Sequence, residues 1–196
     1  MSQSGSEFVS SNHAQDNANN VNSATRQKIR ISELNKMERD GFVRMAGVVF
    51  EHSPWIAEAA WEQRPFVNVA NLHGALCGVV KNSSEEKQLA LIRAHPDLVG
   101  RAALAGTLTR ESTNEQAAAG LDRLSPEETR LFQEYNAAYK EKFGFPFVIC
   151  ARLNKKEAVL KGFERRMKNS KEQEVKSALG EIFKIAELRL GDLISE

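Results

Sequence analysis

The sequence predicts an all-α fold, a single-domain bundle of six to eight helices, and three observations carry that expectation. Apolar residues recur at three- and four-residue spacing along most of the chain. Those runs open with helix-start residues, most clearly at Ser125-Pro126-Glu127-Glu128. One stretch, Phe145 to Ala151, is apolar without the period and is broken by Pro146, so it reads as extended, buried chain. At 196 residues the chain fits one domain with a sizeable core. The expected division is a disordered N-terminal tail over 1–25 and an all-α domain over 26–196.

Taken in order, the tail is rich in Ser, Asn and Gln and has too few apolar groups to offset the entropy of ordering. It also lacks the continuous apolar core of a signal peptide. Glu38 to Phe50 places Phe42, Met45, Ala46 and Val49 at helical spacing. Ser53 caps a segment from Pro54 to about Gln63, with Pro at the first helical position. Asn68 to Val80 carries Val69, Leu72, Leu76 and Val80 on one side. Ser84 caps a helix over Glu85 to Ala94, which must stop near His95 because Pro96 restricts the residue before it. The Ser125 helix runs to Phe143, with Leu131, Tyr135, Tyr139 and Phe143 four apart, and Gly144 ends it. Asn154 is the expected cap of a helix reaching about Lys168, and the last helix runs from Lys171 to about Leu193.

Composition excludes several classes. A formal net charge of +1 gives no electrostatic footprint for nucleic acid or an anionic membrane. No apolar run approaches the roughly 20 residues needed to span a bilayer. Cys77 and Cys150 read as packed, reduced thiols. The histidines His13, His52, His73 and His95 show no zinc-ligand spacing, so no metal is expected. The ending Leu193-Ile194-Ser195-Glu196 is not a peroxisomal address of the Ser-Lys-Leu type, and the cytoplasm is the expected location.

Three places set polar groups against the pattern. His95 follows Leu91 and Ile92 by four and three residues, so its imidazole faces the core at a helix end. Spacing alone leaves a hydrogen-bonded structural histidine as an alternative. Arg189 falls inside the stripe Val175, Ala178, Leu179, Ile182, Ile185, Ala186 and Leu193. A buried guanidinium needs an anionic partner, unless it snorkels to solvent. From Thr109 to Gly120, Ser112 or Thr113 is positioned to cap a short helix, with Glu115 in its first turn and Gly120 at its end. Glu115 and Gln116 offer a carboxylate and an amide, with small alanines beside them. A histidine, a carboxylate, an arginine and an amide form a minimal kit for acid/base work on a small anionic substrate.

With these residues assembled, a resemblance emerges. Glu51-His52-Ser53-Pro54-Trp55, Ala94-His95-Pro96-Asp97-Leu98, Ser112-Thr113-Asn114-Glu115-Gln116 with Ala119-Gly120-Leu121, Asn136-Ala137-Ala138-Tyr139, Phe143 to Ala151, and Ile185 to Leu190 resemble the OHCU decarboxylases. The match runs in order from about residue 31 to 194. That family acts on 2-oxo-4-hydroxy-4-carboxy-5-ureidoimidazoline in urate breakdown, is all-α and usually dimeric, and uses no cofactor. The resemblance implies His95 as the catalytic histidine, with Glu115 beside it and Arg189 also in the site. Pro96, Ser112, Thr113, Asn114, Glu115, Gln116 and the backbone of Phe147, Val148, Ile149, Cys150 and Ala151 would line the substrate. In that scheme Glu115 holds the His95 tautomer and Arg189 anchors substrate oxygens. A small-molecule substrate and a homodimer are expected, with no nucleic acid and no membrane. Two rivals differ in class: a His-Glu hydrolase releasing ammonia from a ureido compound, and a helical interaction module in which the same polar groups are structural.

Overall fold

Helix α10 (Lys171–Leu193) is the longest helix among the described residues of the computed structural model, which describes residue 1 and residues 28–196. The tail expected over 1–25 therefore lies outside the described residues, apart from Met1. Ahead of α10 come β1 (Ile29–Arg30), α1 (Ile31–Leu34), α2 (Arg39–Ala46), α3 (Trp55–Ala60), α4 (Val69–Lys81), α5 (Glu85–Arg93), α6 (Arg101–Leu104), α7 (Arg110–Ala118), α8 (Pro126–Phe143) and α9 (Lys156–Arg166). β2 (Ile194–Ser195) closes the chain and pairs in parallel with β1, Ile29 against Ile194. The described residues thus hold ten α-helices. Two of them, α1 and α6, are single turns of four residues, too short to carry a period in sequence.

The caps follow side-chain chemistry. Asn68, Ser84, Ser125 and Ser170 each accept a hydrogen bond from a backbone N–H in the first turn of α4, α5, α8 and α10. Ser125 and Ser170 complete reciprocal capping boxes with Glu128 and Gln173. Gly144 ends α8 at φ 79, a left-handed conformation that a side chain resists. Asn154 departs from expectation: its Nδ2 donates to the Cys150 carbonyl at 2.9 Å, and α9 starts after Lys155 without a side-chain cap.

The face of α8 is also rotated from the four-residue stripe. Each step of four advances about 40° beyond a full turn, so Leu131 lies about 120° from Phe143. Leu131 is accordingly exposed, and the buried face is Phe132, Asn136, Tyr139 and Phe143. Tyr139 and Phe163 of α9 enclose Phe147, whose ring stacks on Phe163 at 3.8 Å between centroids and meets Tyr139 edge-on at 5.2 Å. The extended chain over 145–150 is buried throughout, as the sequence suggested.

A buried ionic knot fixes that chain. Glu174 is fully buried on α10 and accepts from the Tyr139 hydroxyl, from Arg166 Nε at 2.6 Å and from Asn169 Nδ2 at 2.7 Å. Arg166 spends Nη1 on the Val148 carbonyl at 2.6 Å and lies over the Phe147 ring. Helices α8, α9 and α10 are thereby tied to the residues that flank the site below. On its other side, α10 packs against α4, α5 and the turn Gly47–Val49.

Candidate active site

The site begins where α5 runs out. His95 N–H bonds the Ile92 carbonyl at 3.2 Å instead of the Leu91 carbonyl four residues back, and Pro96 has no N–H to offer. The Leu91 carbonyl is left free, and the His95 ring folds over it with Nδ1 at 3.0 Å. That contact assigns the proton to Nδ1 and leaves Nε2 as the lone-pair nitrogen. Nε2 has no hydrogen-bond partner among the described residues. The tautomer is therefore held by a backbone carbonyl, not by Glu115 as the resemblance implied.

Burial sets the charge of His95. The side chain is only 8% exposed. Loss of solvation pushes its pKa down to about 4, against the opposing pull of the Leu91 carbonyl and the Glu51 charge. At neutral pH the His95 imidazole is uncharged.

The turn after His95 is held from three sides. Lys140 Nζ meets Asp97 Oδ2 at 2.6 Å, Asn136 Nδ2 donates to the Leu98 carbonyl at 2.7 Å, and the Val99 N–H donates to Gln116 Oε1 at 3.0 Å. Val99 sits at φ 54, a conformation that costs a β-branched residue about 1–2 kcal/mol and persists only under such constraint.

Helix α7 supplies the opposite wall. Its cap is Thr109, whose Oγ1 accepts from the Ser112 N–H, so Ser112 and Thr113 lie inside the helix and Glu115 is well beyond the first turn. That register turns Ser112, Glu115, Gln116 and Ala119 inward. Thr113 and Asn114 are exposed on the other side, and the Thr113 hydroxyl donates to the Thr109 carbonyl. The third wall is the extended chain. His95, Pro96, Ser112, Glu115, Gln116, Phe147, Val148, Ile149 and Ala151 meet on one tight cleft, with about 30 Å³ of open space, and Leu98 and Ile185 add apolar surface. Thr113 and Asn114 do not reach it. Nor does Cys150 line it: its N–H donates to Glu181 Oε2 at 2.8 Å, and burial pushes its thiol pKa up, away from a reactive thiolate. Among the described residues, nothing bonds the N–H groups of Phe147, Val148 and Ile149 or the carbonyls of Phe147 and Ile149. Those groups remain free for a ligand.

Of the two alternatives left open for Arg189, burial with an anion is the one observed: it is 4% exposed and has two carboxylate partners. Nε and Nη2 each donate to Glu115 at 2.8 Å in a bidentate fork, and Nη1 donates to Glu51 at 3.0 Å. Longer contacts from Nη2 to Ser112 Oγ, 3.4 Å, and from Nη1 to the Val49 carbonyl, 3.5 Å, occupy the remaining hydrogens. All five donors are committed within the protein. The guanidinium stands behind Glu115, bounding a separate cavity with Val43, Val48 and Pro54, instead of projecting into the cleft. Desolvation works against its charge, but the hydrogen bonds and proximity of Glu115, then Glu51, outweigh this and raise its pKa.

Glu51 stood in the sequence only as part of a motif, with no site role assigned to it. It is 4% exposed and accepts from Arg189, from Thr109 Oγ1 at 3.0 Å and from Ser112 Oγ at 3.4 Å. Its signal was a carboxylate following directly on the apolar pair Val49-Phe50. His52 beside it is exposed at φ 47. Among the described residues, no group of three or more His, Cys, Asp or Glu side chains is arranged to hold a metal ion.

Comparison with known proteins identifies the family the chain is similar to. The OHCU decarboxylase family model matches residues 35–191. The 2-oxo-4-hydroxy-4-carboxy-5-ureidoimidazoline decarboxylase of Haloferax volcanii is 42% identical over 168 residues, 86% of this chain and 98% of the relative. The Mus musculus enzyme of the same name is 41% identical over 83% of this chain and 91% of its own. Among solved structures, an (S)-allantoin synthase superposes with a TM-score of 0.66 at 27% identity, over 84% of this chain and about half, 54%, of that one. An OHCU decarboxylase crystallised in the presence of (S)-allantoin shares the fold, with a TM-score of 0.59 at 22% identity over 79% of this chain and 96% of its own. With the family model spanning most of the chain and relatives alike nearly from end to end, this protein belongs to the OHCU decarboxylase family.

Proposed function

We propose that this enzyme decarboxylates 2-oxo-4-hydroxy-4-carboxy-5-ureidoimidazoline to (S)-allantoin in urate degradation, with His95 as the base. The observation that carries the assignment of roles is a neutral imidazole with an unpaired Nε2 on a narrow cleft, beside a carboxylate held by a committed arginine.

The chemistry needs little more. As carbon dioxide leaves, the electrons of the C4–carboxyl bond form a C4=C5 double bond, and the former C=N pair moves to the ring nitrogen, which takes a proton from water. The substrate is its own electron sink. His95 Nε2 accepts the 4-hydroxyl proton as the C4 oxygen becomes a carbonyl, and returns it to C5 on the face it covers. One proton is consumed for each carboxylate lost. The Leu91 carbonyl and the Glu51 charge favour the transient imidazolium. Glu115 fixes polar edges of the substrate, the free amides and carbonyls of 147–149 bond the ureido and ring groups, and Arg189 acts through Glu115 as a positioning residue. Acid/base assistance of this kind contributes about 10²- to 10⁴-fold.

The reading extends to the whole protein. The catalytic unit is the single domain over 26–196, supported by one continuous core. Assembly as a homodimer is supported by the family resemblance. A cytoplasmic location is supported by Cys77 and Cys150, which stand as free thiols. The test is a coupled assay from urate with the two preceding activities, following optical rotation and released gas. Accumulation of S-allantoin with carbon dioxide is expected, and its loss in His95→Asn. Racemic product at the uncatalysed rate from the wild type, or ammonia release, refutes the assignment.

A further inference from the structure

His95 and Pro96 bound a second space besides the cleft. It is a larger cavity, about 470 Å³, walled by Arg93, Asp97, Arg101, Lys140 and Pro146. Three cations and one carboxylate make it net positive. Lys140 is occupied by Asp97. Arg93 spends Nε on the Gly144 carbonyl at 3.1 Å, and its terminal nitrogens have no protein partner among the described residues. Arg101 is exposed, and its guanidinium makes no hydrogen bond or ion pair among the described residues. The cleft offers no free positive charge, since its one charged wall group, Glu115, is already paired with Arg189. An anion arriving at His95 therefore meets uncompensated cations only on the side of the larger cavity.

We propose that this cavity is an anion-receiving antechamber, in which Arg101 and Arg93 capture the carboxylate of a planar heterocyclic acid before its ring passes the His95-Pro96 rim into the cleft. The proposal rests on the decarboxylase reading above. Exposed guanidiniums in water attract without locking, and that suits the chemistry. A carboxylate bound tightly in the ground state is harder to lose, so the two arginines belong in capture and contribute to kcat/KM, not to kcat. Capture by solvated charges weakens as salt screens them.

The test compares two probes by calorimetric titration of the full chain: orotate, a flat heterocyclic carboxylate, and uracil, the same ring without the carboxylate. At low salt orotate is expected to bind about tenfold more tightly than uracil. The advantage should disappear in Arg93→Gln/Arg101→Gln and shrink with added salt, while uracil affinity stays unchanged. Because Arg93 also holds Gly144, Arg101→Gln alone is measured beside it. It removes no protein contact and should still lose part of the advantage. With the natural substrate, kcat/KM should fall about tenfold in the double variant at constant kcat. Equal binding of orotate and uracil by the wild type, or an advantage that is undiminished in Arg101→Gln, overturns the antechamber even if allantoin is formed. Failure of the wild type to form allantoin instead sinks the decarboxylase reading, a separate result.

Discussion

Removing the guanidinium from the buried triad isolates its role. In Arg189→Met the side-chain volume is roughly kept, while Glu51 and Glu115 lose their shared counter-charge. The three side chains are 4%, 3% and 12% exposed, so water cannot replace the lost donors. Breaking a buried pair from one side costs about 3–5 kcal/mol. For a domain of this size each kcal/mol moves Tm by about 2–4 °C, which places the loss near 10 °C. The variant should also reverse its pH response. Two carboxylates stranded without a partner hold protons more tightly in the folded than in the unfolded chain. The folded state then binds more protons, and stability rises as pH falls from 7 to 5. Thermal and urea melts at both pH values measure this, with Arg189→Met/Glu115→Gln and the further addition of Glu51→Gln as the cycle. The two neutralisations together should restore most of the roughly 3–5 kcal/mol lost. A loss under 1 kcal/mol in Arg189→Met, or no recovery on removing Glu115's charge, would show that solvent reaches the guanidinium and that it does not hold Glu115 in place.

Other consequences follow from the same contacts. His95 has a folded pKa near 4 against about 6.5 unfolded, so the unfolded chain takes up a proton first as pH falls. The stability present above pH 6.5 is eroded down to about pH 4, by up to roughly 3 kcal/mol, and His95→Asn should blunt that acid lability in pH-dependent melts. The acid limb of kcat/KM should lie near 4, and a limb near 6.5 would contradict a desolvated base. Thr113→Ala and Asn114→Ala, on the outer side of α7, should keep wild-type KM and kcat, with Tm within about 2 °C. Glu174→Gln should cost several kcal/mol by leaving the buried Arg166 unpaired. It should also raise KM, because Val148 and Phe147 lose their support.

What was legible in the sequence and what was not divides along physical lines. A cap with one candidate, Ser125, could be read directly because only one side chain was placed to satisfy the first-turn N–H groups. The run Thr109 to Thr113 offered several hydroxyls, and the choice of Thr109 depends on Glu51, 58 residues away, which accepts its hydroxyl proton. That one-turn shift decided which of residues 112 to 116 faced the cleft. The α8 stripe failed because a four-residue spacing drifts around a helix, and the partner ring of Phe163 selects Phe132 over Leu131. Arg189 was legible as a buried charge needing an anion. That it needs two, and that they consume every donor, depends on long-range contacts with Glu51 and Glu115 that no local pattern records.

The most direct test of the account is the protonation of His95 in solution, read from the ¹⁵N resonances of its ring across pH 3 to 9. The account predicts a neutral imidazole at pH 7, protonated on Nδ1 with Nε2 bare, titrating near pH 4. An imidazolium at neutral pH, or the Nε2–H tautomer, would contradict it, since neither leaves a lone pair on the cleft to take the hydroxyl proton.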